Sequence, residues 1–207
     1  MKPMISQAAI ERLALYLRFL RSAQEEGLQI ISSEDMGKRL EVTPVQIRKD
    51  LALFGQFGMK GIGYYTTELV NQISNILGLN HNWHMAIIGV GHLGGALANY
   101  KNFAANGFQL KALFDKDIRI IGSMVHGIKI SDIKNLKSIV DNREIHIGVI
   151  TVPAPEAQGV ANLLVEAGIK GIWNFAPIKI IVPPEIHLVN EDLAVDLSTL
   201  SYHMSKE

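Results

Sequence analysis

The feature that most constrains the fold of this chain is an apolar segment that runs directly into a glycine-rich turn. Residues 85–90 predict a buried strand, residues 92–105 predict a helix, and the pattern G-x-G-x-x-G lies at their junction. The residues of this motif are Gly89, Val90, Gly91, His92, Leu93 and Gly94. A strand, a glycine turn and a helix in this order are typical of the first unit of a dinucleotide-binding parallel sheet.

Each glycine of the motif has an expected task. Gly89 permits the tight turn, Gly91 lets the backbone approach a pyrophosphate, and Gly94 lets the helix pack closely on the strand. The N–H groups at the start of the helix, together with the helix dipole, would hold the phosphates. His92 lies in this loop, where its side chain either contacts the pyrophosphate or points to solvent.

An acidic residue ends the next predicted strand, at 108–114. Asp115 follows the motif by about 20 residues, where a carboxylate accepts hydrogen bonds from the ribose hydroxyls of an adenosine. A carboxylate in this position repels a 2′-phosphate and therefore favours NAD(H) over NADP(H). Lys116 and Arg119 lie close by and weaken that discrimination.

Two further strands, predicted at 145–152 and 171–175, would end at the same edge of the sheet. Ligands of such sheets bind outside the carboxyl ends of the strands. The candidate cofactor contacts at these ends are Thr151, Val152, Pro153, Asn174 and Phe175. Phe175 forms a wall for the nicotinamide or is an ordinary core aromatic residue, and Tyr100 reaches the cofactor or only packs on its own helix.

The first 80 residues have a different, helical pattern. Helices are predicted at 8–20, 33–40, 44–54 and 66–77. Thr43 is a good N-cap and Pro44 suits the first helical position, so the second and third helices form a helix-turn-helix candidate. Residues 55–63 contain four glycines and predict a hairpin or wing. The core positions expected on these helices are Ile10, Leu13, Leu17, Leu20, Val45, Leu51 and Leu53.

The helix at 44–54 and the wing carry side chains suited to DNA. Gln46 and Arg48 are types that read base edges, Lys49 suits phosphate, and Lys60 at the wing tip would meet a minor groove or the backbone. With Thr43, these four residues are the candidate DNA contacts. Five basic residues stand against two acidic ones between residues 38 and 63, a local net charge of +3 in a chain whose total is zero. The alternative is a helical dimerisation or linker domain with a solvated basic face.

These patterns predict an α/β chain with three parts. A winged helix-turn-helix domain at residues 1–80 precedes a Rossmann-like parallel-sheet domain at 81–189 that binds NAD(H), and a C-terminal helix occupies 190–207. The last helix places Leu193, Leu197 and Leu200 on one face.

Composition excludes several classes of function. The chain has no cysteine, which rules out disulfides, thiolate catalysis and cysteine-ligated metals, and its histidines show no metal-binding spacing. No metal is therefore expected. No apolar run is long enough to cross a bilayer and no secretion signal is evident, so we expect a cytoplasmic protein without a membrane partner.

The order of the domains argues against an enzyme. A dehydrogenase also needs an acid or base near the nicotinamide and a substrate anchor, which usually come from a domain after the nucleotide fold. Here only the final helix follows. Two alternatives to a ligand-controlled DNA-binding protein stay open: a small NAD-dependent oxidoreductase with an N-terminal dimerisation domain, and a module that binds CoA or another adenine nucleotide.

Several segments of the chain resemble the Rex family of redox-sensing transcriptional repressors. The resemblance extends from about Ile5 to Tyr202, and its most specific part is the run Arg48-Lys49-Asp50 with the glycine-rich wing. The segments that carry it are residues 45–51, 54–58, 61–64, 89–94, 151–153, 168–172 and 174–177.

The resemblance implies a homodimeric repressor that binds double-stranded operator DNA and leaves it when NADH binds. The C-terminal helix, about residues 191–203, would swap onto the partner subunit. Arg18 and Asp192 would form an ion pair that depends on the ligand state, with Tyr100 nearby, and Leu193 stands where some relatives carry an aromatic residue. We expect NADH to close the two nucleotide domains of the dimer and so to move the recognition helices out of register with successive major grooves.

Overall fold

The computed structural model describes residues 5–59 and 61–206, except for the side chain of residue 196. It divides the chain into two compact units, with the boundary between His81 and Asn82. The first unit is a winged helix-turn-helix, and the second is a mostly parallel sheet with helices on both faces. The fold is therefore of the predicted α/β class.

The N-terminal unit contains four helices and one short antiparallel pair of strands. Its elements are α1 (Gln7–Glu25), β1 (Ile30–Ile31), α2 (Ser33–Leu40), α3 (Pro44–Ala52), β2 (Tyr64–Tyr65) and α4 (Thr66–Ile76). Ser32 caps α2 and Thr43 caps α3, because their hydroxyls accept hydrogen bonds from the N–H groups three residues on. Helix α3 ends at Ala52, two residues before its predicted end at Phe54. Its last turn is closed by tighter, i to i+3 hydrogen bonds, such as that from Phe54 N to Leu51 O at 2.9 Å.

The core of this unit was only partly predicted from the helical pattern. Leu13, Leu17, Leu20 and Leu51 are buried as expected. Ile10, Val45 and Leu53 are instead 38%, 52% and 43% exposed. Val45 and Leu53 each lie two residues, and thus about 200° of helix rotation, from the residues of α3 that do face the core, Ile47 and Leu51.

A buried carboxylate joins α3 to α1. Asp50 is 1% exposed and accepts two hydrogen bonds from the Arg12 guanidinium, at 2.6 and 2.7 Å. The Tyr16 hydroxyl and the Gln46 amide each donate to it at 2.7 Å. Burial alone would raise the pKa of Asp50, but the hydrogen bonds from its partners, that of Arg12 first, outweigh burial and lower this pKa.

The wing follows α3 as predicted. Met59 and Gly63 pair across a tight hairpin, and β2, which comes next, pairs with β1. Lys60, the candidate DNA contact at the tip, lies outside the described residues.

The C-terminal unit is built on a seven-stranded sheet. Its strands are β3 (Trp83–Ile88), β4 (Phe108–Asp115), β5 (Met124–Val125), β6 (Ile128–Asp132), β7 (Ile147–Ile150), β8 (Gly171–Asn174) and β9 (His187–Asn190). Its helices are α5 (His92–Ala98), α6 (Asn102–Ala105), α7 (Leu136–Arg143), α8 (Ala154–Glu166) and α9 (Leu193–Met204). The strand order is β5-β6-β4-β3-β7-β8-β9, and β5 alone runs antiparallel to its neighbour.

Alternating side chains of the central strands form a core on each face of the sheet. Ile88, Phe114 and Ile150 pack with residues of α7 and α8. Ile87, Leu113 and Val149 pack on the other face with Ala98 of α5. Because β3, β4, β7 and β8 are parallel, their carboxyl ends lie along one edge of the sheet.

Three predicted elements of this unit differ from the structure. The helix expected at 92–105 breaks between α5 and α6, where the Asn99 amide bonds back to Gly95 O (2.8 Å) and competes with the helix. The strand expected at 145–152 is limited to β7. The final helix begins at Leu193 rather than at 190, because residues 187–190 pair with β8 as the edge strand β9. Strands β5 and β6 and helix α7 were not predicted.

The described residues contain neither a membrane span nor a metal-binding cluster. None of their helices is long and apolar enough to cross a membrane. No group of three or more histidine, cysteine, aspartate or glutamate residues among them could hold a metal ion.

The Asp50 network predicts a pH-dependent contribution to stability. Asp50→Asn should lower the free energy of unfolding at pH 7 by about 2 kcal/mol, less than for a fully buried pair because the Arg12 side chain is 29% exposed. Since folding lowers the pKa of Asp50, the difference from wild type is present above about pH 5 and narrows as the pH falls below about 4. Urea unfolding at several pH values measures it. Glu25→Gln, an exposed change on α1, is the control and should change the free energy of unfolding by less than about 0.5 kcal/mol. An equal effect of both changes at pH 7 would contradict the prediction.

Candidate dinucleotide site and DNA-binding surface

The glycine loop leaves the carboxyl end of β3 in a conformation that only glycine adopts easily. Gly89 has a φ of +96°. A Cβ at this position would lie 2.8 Å from Val152 Cγ1 and 2.9 Å from Thr151 O, closer than real side chains approach. Gly89 therefore both makes the turn and lets the loop pack against the end of β7.

Gly94 allows a second close approach, between α5 and the loop. It is buried, and a Cβ there would overlap Gly89 O and lie 2.9 Å from Thr151 Oγ1. By contrast, nothing lies within 4 Å of the Cβ position of Gly91 or Gly95. The open backbone at Gly91, the residue that caps α5, is what the expected approach of a pyrophosphate requires.

Thr151 and Asp115 hold the loop from the two strands that flank β3. The Thr151 hydroxyl donates its one proton to Gly89 O at 2.7 Å, and Ile88 O lies within hydrogen-bond distance of the same hydroxyl at 3.1 Å. One Asp115 oxygen accepts from Val90 N (2.7 Å), and the other accepts from the N–H groups of residues 116 and 117. Three of the roughly four acceptor positions of this carboxylate are thus used within the chain. A hydrogen bond from a ribose hydroxyl to Asp115 stays a prediction, and it would use the remaining acceptor position of the carboxylate.

Further candidate cofactor contacts lie at the start of α5 and in the segment between β7 and α8. His92 and Leu93 are exposed at the start of α5, and both expectations for His92 stay open. Val152 packs against the turn at Gly89, and Pro153 occupies the N-cap position of α8.

Asn174, at the carboxyl end of β8, is held by hydrogen bonds within the chain. Its side chain is fully buried, and its amide donates to the carbonyls of Ala176 (3.2 Å) and Ile178 (2.9 Å) and to Asn190 Oδ1 (2.9 Å). Its own Oδ1 accepts from Ala176 N (3.0 Å). With these partners the carboxamide supports the loop after β8, and a contact of Asn174 with the cofactor stays a prediction.

Four aromatic rings form a row in this unit. The centroids of Tyr100 and Phe103 lie 5.0 Å apart, those of Phe103 and Trp173 6.0 Å, and those of Trp173 and Phe175 4.5 Å. Phe175 is partly buried in this row, as a core aromatic residue would be, while Tyr100 is 52% exposed at the break between α5 and α6. The sequence analysis did not identify Phe103 or Trp173. Phe103 lies on α6, after the break, and Trp173 lies in the middle of the short strand β8, and neither residue belongs to a sequence motif.

The candidate DNA contacts of α3 are partly engaged within their own unit. Arg48 donates to Ser33 Oγ (2.6 Å) and to Glu34 Oε1 (2.9 Å) at the start of α2, and Gln46 donates to Asp50. The Lys49 side chain is exposed and forms no hydrogen bond or ion pair with the described residues. Arg48 borders a cavity of about 540 Å³ between α2, α3 and the wing, lined by Ser32, Glu34, Phe57, Met59, Ile62 and Tyr64 among others.

The two residues of the predicted switch lie in different units. Arg18 is exposed on α1, and Asp192 caps α9 by accepting from Ala194 N at 3.0 Å. Their pairing stays a prediction.

Comparison with protein families gives matches to both units. The model described as "Putative DNA-binding protein N-terminus" matches residues 4–52, and the "CoA binding domain" model matches residues 80–178. The redox-sensing transcriptional repressor Rex of Syntrophobacter fumaroxidans is 47% identical over 202 residues, 97% of this chain and 96% of that protein. The Rex protein of Clostridium perfringens is 46% identical over 96% of this chain and 93% of its own length.

Solved structures match over nearly the whole chain. RSP in complex with β-NAD⁺ and operator DNA superposes with a TM-score of 0.94 at 40% identity, covering 99% of this chain and 94% of that one. RSP in complex with β-NADH superposes with a TM-score of 0.90 at 38% identity, covering 99% and 96% of the two chains. RSP is described as a Rex-family repressor.

Adjacent glycines of α5 offer a matched test of the loop packing. Gly94→Ala should push α5 away from the loop and weaken NADH binding at least about tenfold, since the new methyl group meets backbone and cannot be accommodated. Gly95→Ala enters open space in a helix and should keep NADH affinity while stabilising the unit by up to about 1 kcal/mol. NADH fluorescence titration and thermal unfolding measure both effects. Equal NADH affinity of the two variants would show that the close approach at Gly94 does not shape the site.

Proposed function

This chain belongs to the Rex family of redox-sensing transcriptional repressors, and from that membership we propose that it represses transcription as a homodimer that leaves its operator when NADH binds. The observation that carries the proposal is the full-length match to RSP, which has been solved with NAD⁺ and operator DNA together and also with NADH. NAD(H) is accordingly a regulatory ligand here. The family is one of repressors and not of enzymes.

The C-terminal unit supports the nucleotide part of the proposal. A fixed glycine loop with an open backbone at Gly91 suits a pyrophosphate, and Asp115 at the end of β4 suits a ribose. The nicotinamide ring is cationic in NAD⁺ and neutral in NADH. An apolar crevice near Phe175 and the prolines after β7 would favour the neutral ring, because burying a charge costs free energy.

The N-terminal unit supports the DNA part. Helix α3 is the second helix of a helix-turn-helix, and its exposed Lys49 and its neighbours Gln46 and Arg48 are suited to the major groove. Thr43 at the start of α3 and the wing complete the proposed contact surface. Gln46 and Arg48 would exchange their internal partners for DNA on binding.

The exposed apolar side chains of α9 support a dimer. Leu193, Leu197 and Leu200 are 62%, 66% and 55% exposed. An amphipathic helix normally buries its apolar face, so we expect another surface to cover these side chains. We propose that the partner subunit covers α9, and that Asp192 at its start pairs with Arg18 in one ligand state. A dimer that must match half-sites about 34–36 Å apart is easily released by a small movement of its recognition helices.

The proposal assigns the chain to the cytoplasm, where it meets both operator DNA and the pool of NAD(H). It also assigns residues 1–80 to DNA binding, 81–189 to the nucleotide and 190–207 to dimerisation.

Release from the operator tests the function directly. Fluorescence anisotropy with a labelled operator duplex should show binding by wild type, release on addition of NADH, and no release by the same concentration of NAD⁺. Gly94→Ala should bind the duplex with wild-type affinity and resist NADH, while Gly95→Ala should respond like wild type. Insensitivity of the wild type to NADH would contradict the proposed function.

Two neighbouring residues of α3 should differ in what they contribute to DNA binding. Arg48→Ala should reduce the preference for operator over random duplex by about tenfold, because the variant can no longer hydrogen-bond to a base edge. Lys49→Ala should weaken binding to both duplexes about equally and reduce the salt slope by about one. Lys137→Ala, a charge change on α7 in the other unit, is the control. If Arg48→Ala and Lys49→Ala both leave operator affinity at the control value, α3 is not the recognition helix.

A further inference from the structure

Two cations follow Asp115 at the place where related sheets bind a 2′-phosphate. Lys116 and Arg119 lie in the turn after β4, and a basic residue in this turn is what accommodates the 2′-phosphate of NADP(H). Each of them is already paired with a carboxylate of its own unit. We propose that these carboxylates, Glu156 and Asp117, determine nucleotide choice by withdrawing both cations from a 2′-phosphate. The inference rests on the proposed binding of NAD(H).

The first pair joins the turn after β4 to the first turn of α8. Lys116 Nζ lies 2.8 Å from Glu156 Oε2, and the two side chains are 67% and 33% exposed. Helix α8 follows β7, and β4 and β7 flank β3 on opposite sides. The pair therefore links the strands on either side of the glycine loop, and Lys116 is held toward α8.

The second pair closes within the turn itself. Arg119 Nε lies 2.9 and 3.0 Å from the two Asp117 oxygens, and its Nη2 lies 2.6 Å from Oδ2. The Arg119 N–H also donates to Asp117 Oδ1 at 3.0 Å. These hydrogen bonds hold the pKa of Asp117 at about 2, so the carboxylate is charged at neutral pH.

The local charge in this turn has a direct consequence for a 2′-phosphate. Asp117 and Glu156 each neutralise one of the two cations. Loss of either carboxylate would free a cation, whereas loss of the charge of Asp132, the register partner of Asp115 on β6, would not. A phosphate monoester brings about 1.5 to 2 negative charges, so a freed cation would attract it. Because both pairs reach solvent, each effect is limited to that of a surface ion pair.

The experiment compares NADH and NADPH affinities in four full-length variants. Glu156→Gln and Asp117→Asn should each raise NADPH affinity about fivefold, and the double variant about 25-fold, with NADH affinity within about twofold of wild type. Asp132→Asn is the control: it removes one negative charge at the end of the neighbouring strand β6, where Asp132 has no described ion pair. Fluorescence titration of the reduced nicotinamide measures both ligands.

A second comparison identifies the cation. In Glu156→Gln combined with Lys116→Ala, NADPH affinity should return to the wild-type value, because no freed ammonium remains. A gain that persists in this combination overturns the assignment of Lys116. An unchanged NADPH affinity in the double carboxylate variant, or an equal gain in Asp132→Asn, overturns the inference. If the variants still bind NADH in that case, the proposed function is unaffected. A wild type that binds neither nucleotide contradicts the proposed function and the inference with it.

Discussion

The candidate nucleotide site depends on one close approach, that of the glycine loop to the ends of the strands beside it. The Thr151 hydroxyl bonds to Gly89 O at 2.7 Å, and the Asp115 carboxylate bonds to Val90 N at 2.7 Å from the other side. Gly94 then lets α5 start directly above the loop. Because the loop is fixed from β7 and from β4 at once, the backbone at Gly91 has a defined position before any ligand binds, which lowers the ordering cost of binding.

A comparable constraint exists in the N-terminal unit. The buried Asp50 carboxylate ties α3 to Arg12 and Tyr16 of α1, so the recognition helix has a fixed position within its unit. We therefore propose that a ligand bound in the other unit controls DNA binding by changing where whole recognition helices lie in the dimer, and not by reshaping one helix. A rigid reader suits this control, because two half-sites tolerate little change in spacing.

Local patterns predicted much of this architecture. The cap at Thr43, the glycine motif and the acid at the end of β4 depend on neighbours a few residues away, and they lie where expected. The features that were missed depend on distant partners. Asp50 meets Arg12 across 38 residues, and Asn174 meets Asn190 across 16. Residue type alone also could not show that Lys116 is paired with Glu156, because that contact needs two strand ends to be brought together.

We propose that the redox state of the bound nicotinamide decides whether the protein holds its operator. The most direct measurement is operator affinity as a function of the NADH/NAD⁺ ratio at constant total nucleotide and constant salt. The account predicts a fall in affinity as the ratio rises, with the midpoint set by the ratio of the two nucleotide affinities. An operator affinity that stays the same across the whole range of ratios, with both nucleotides shown to bind, would contradict it.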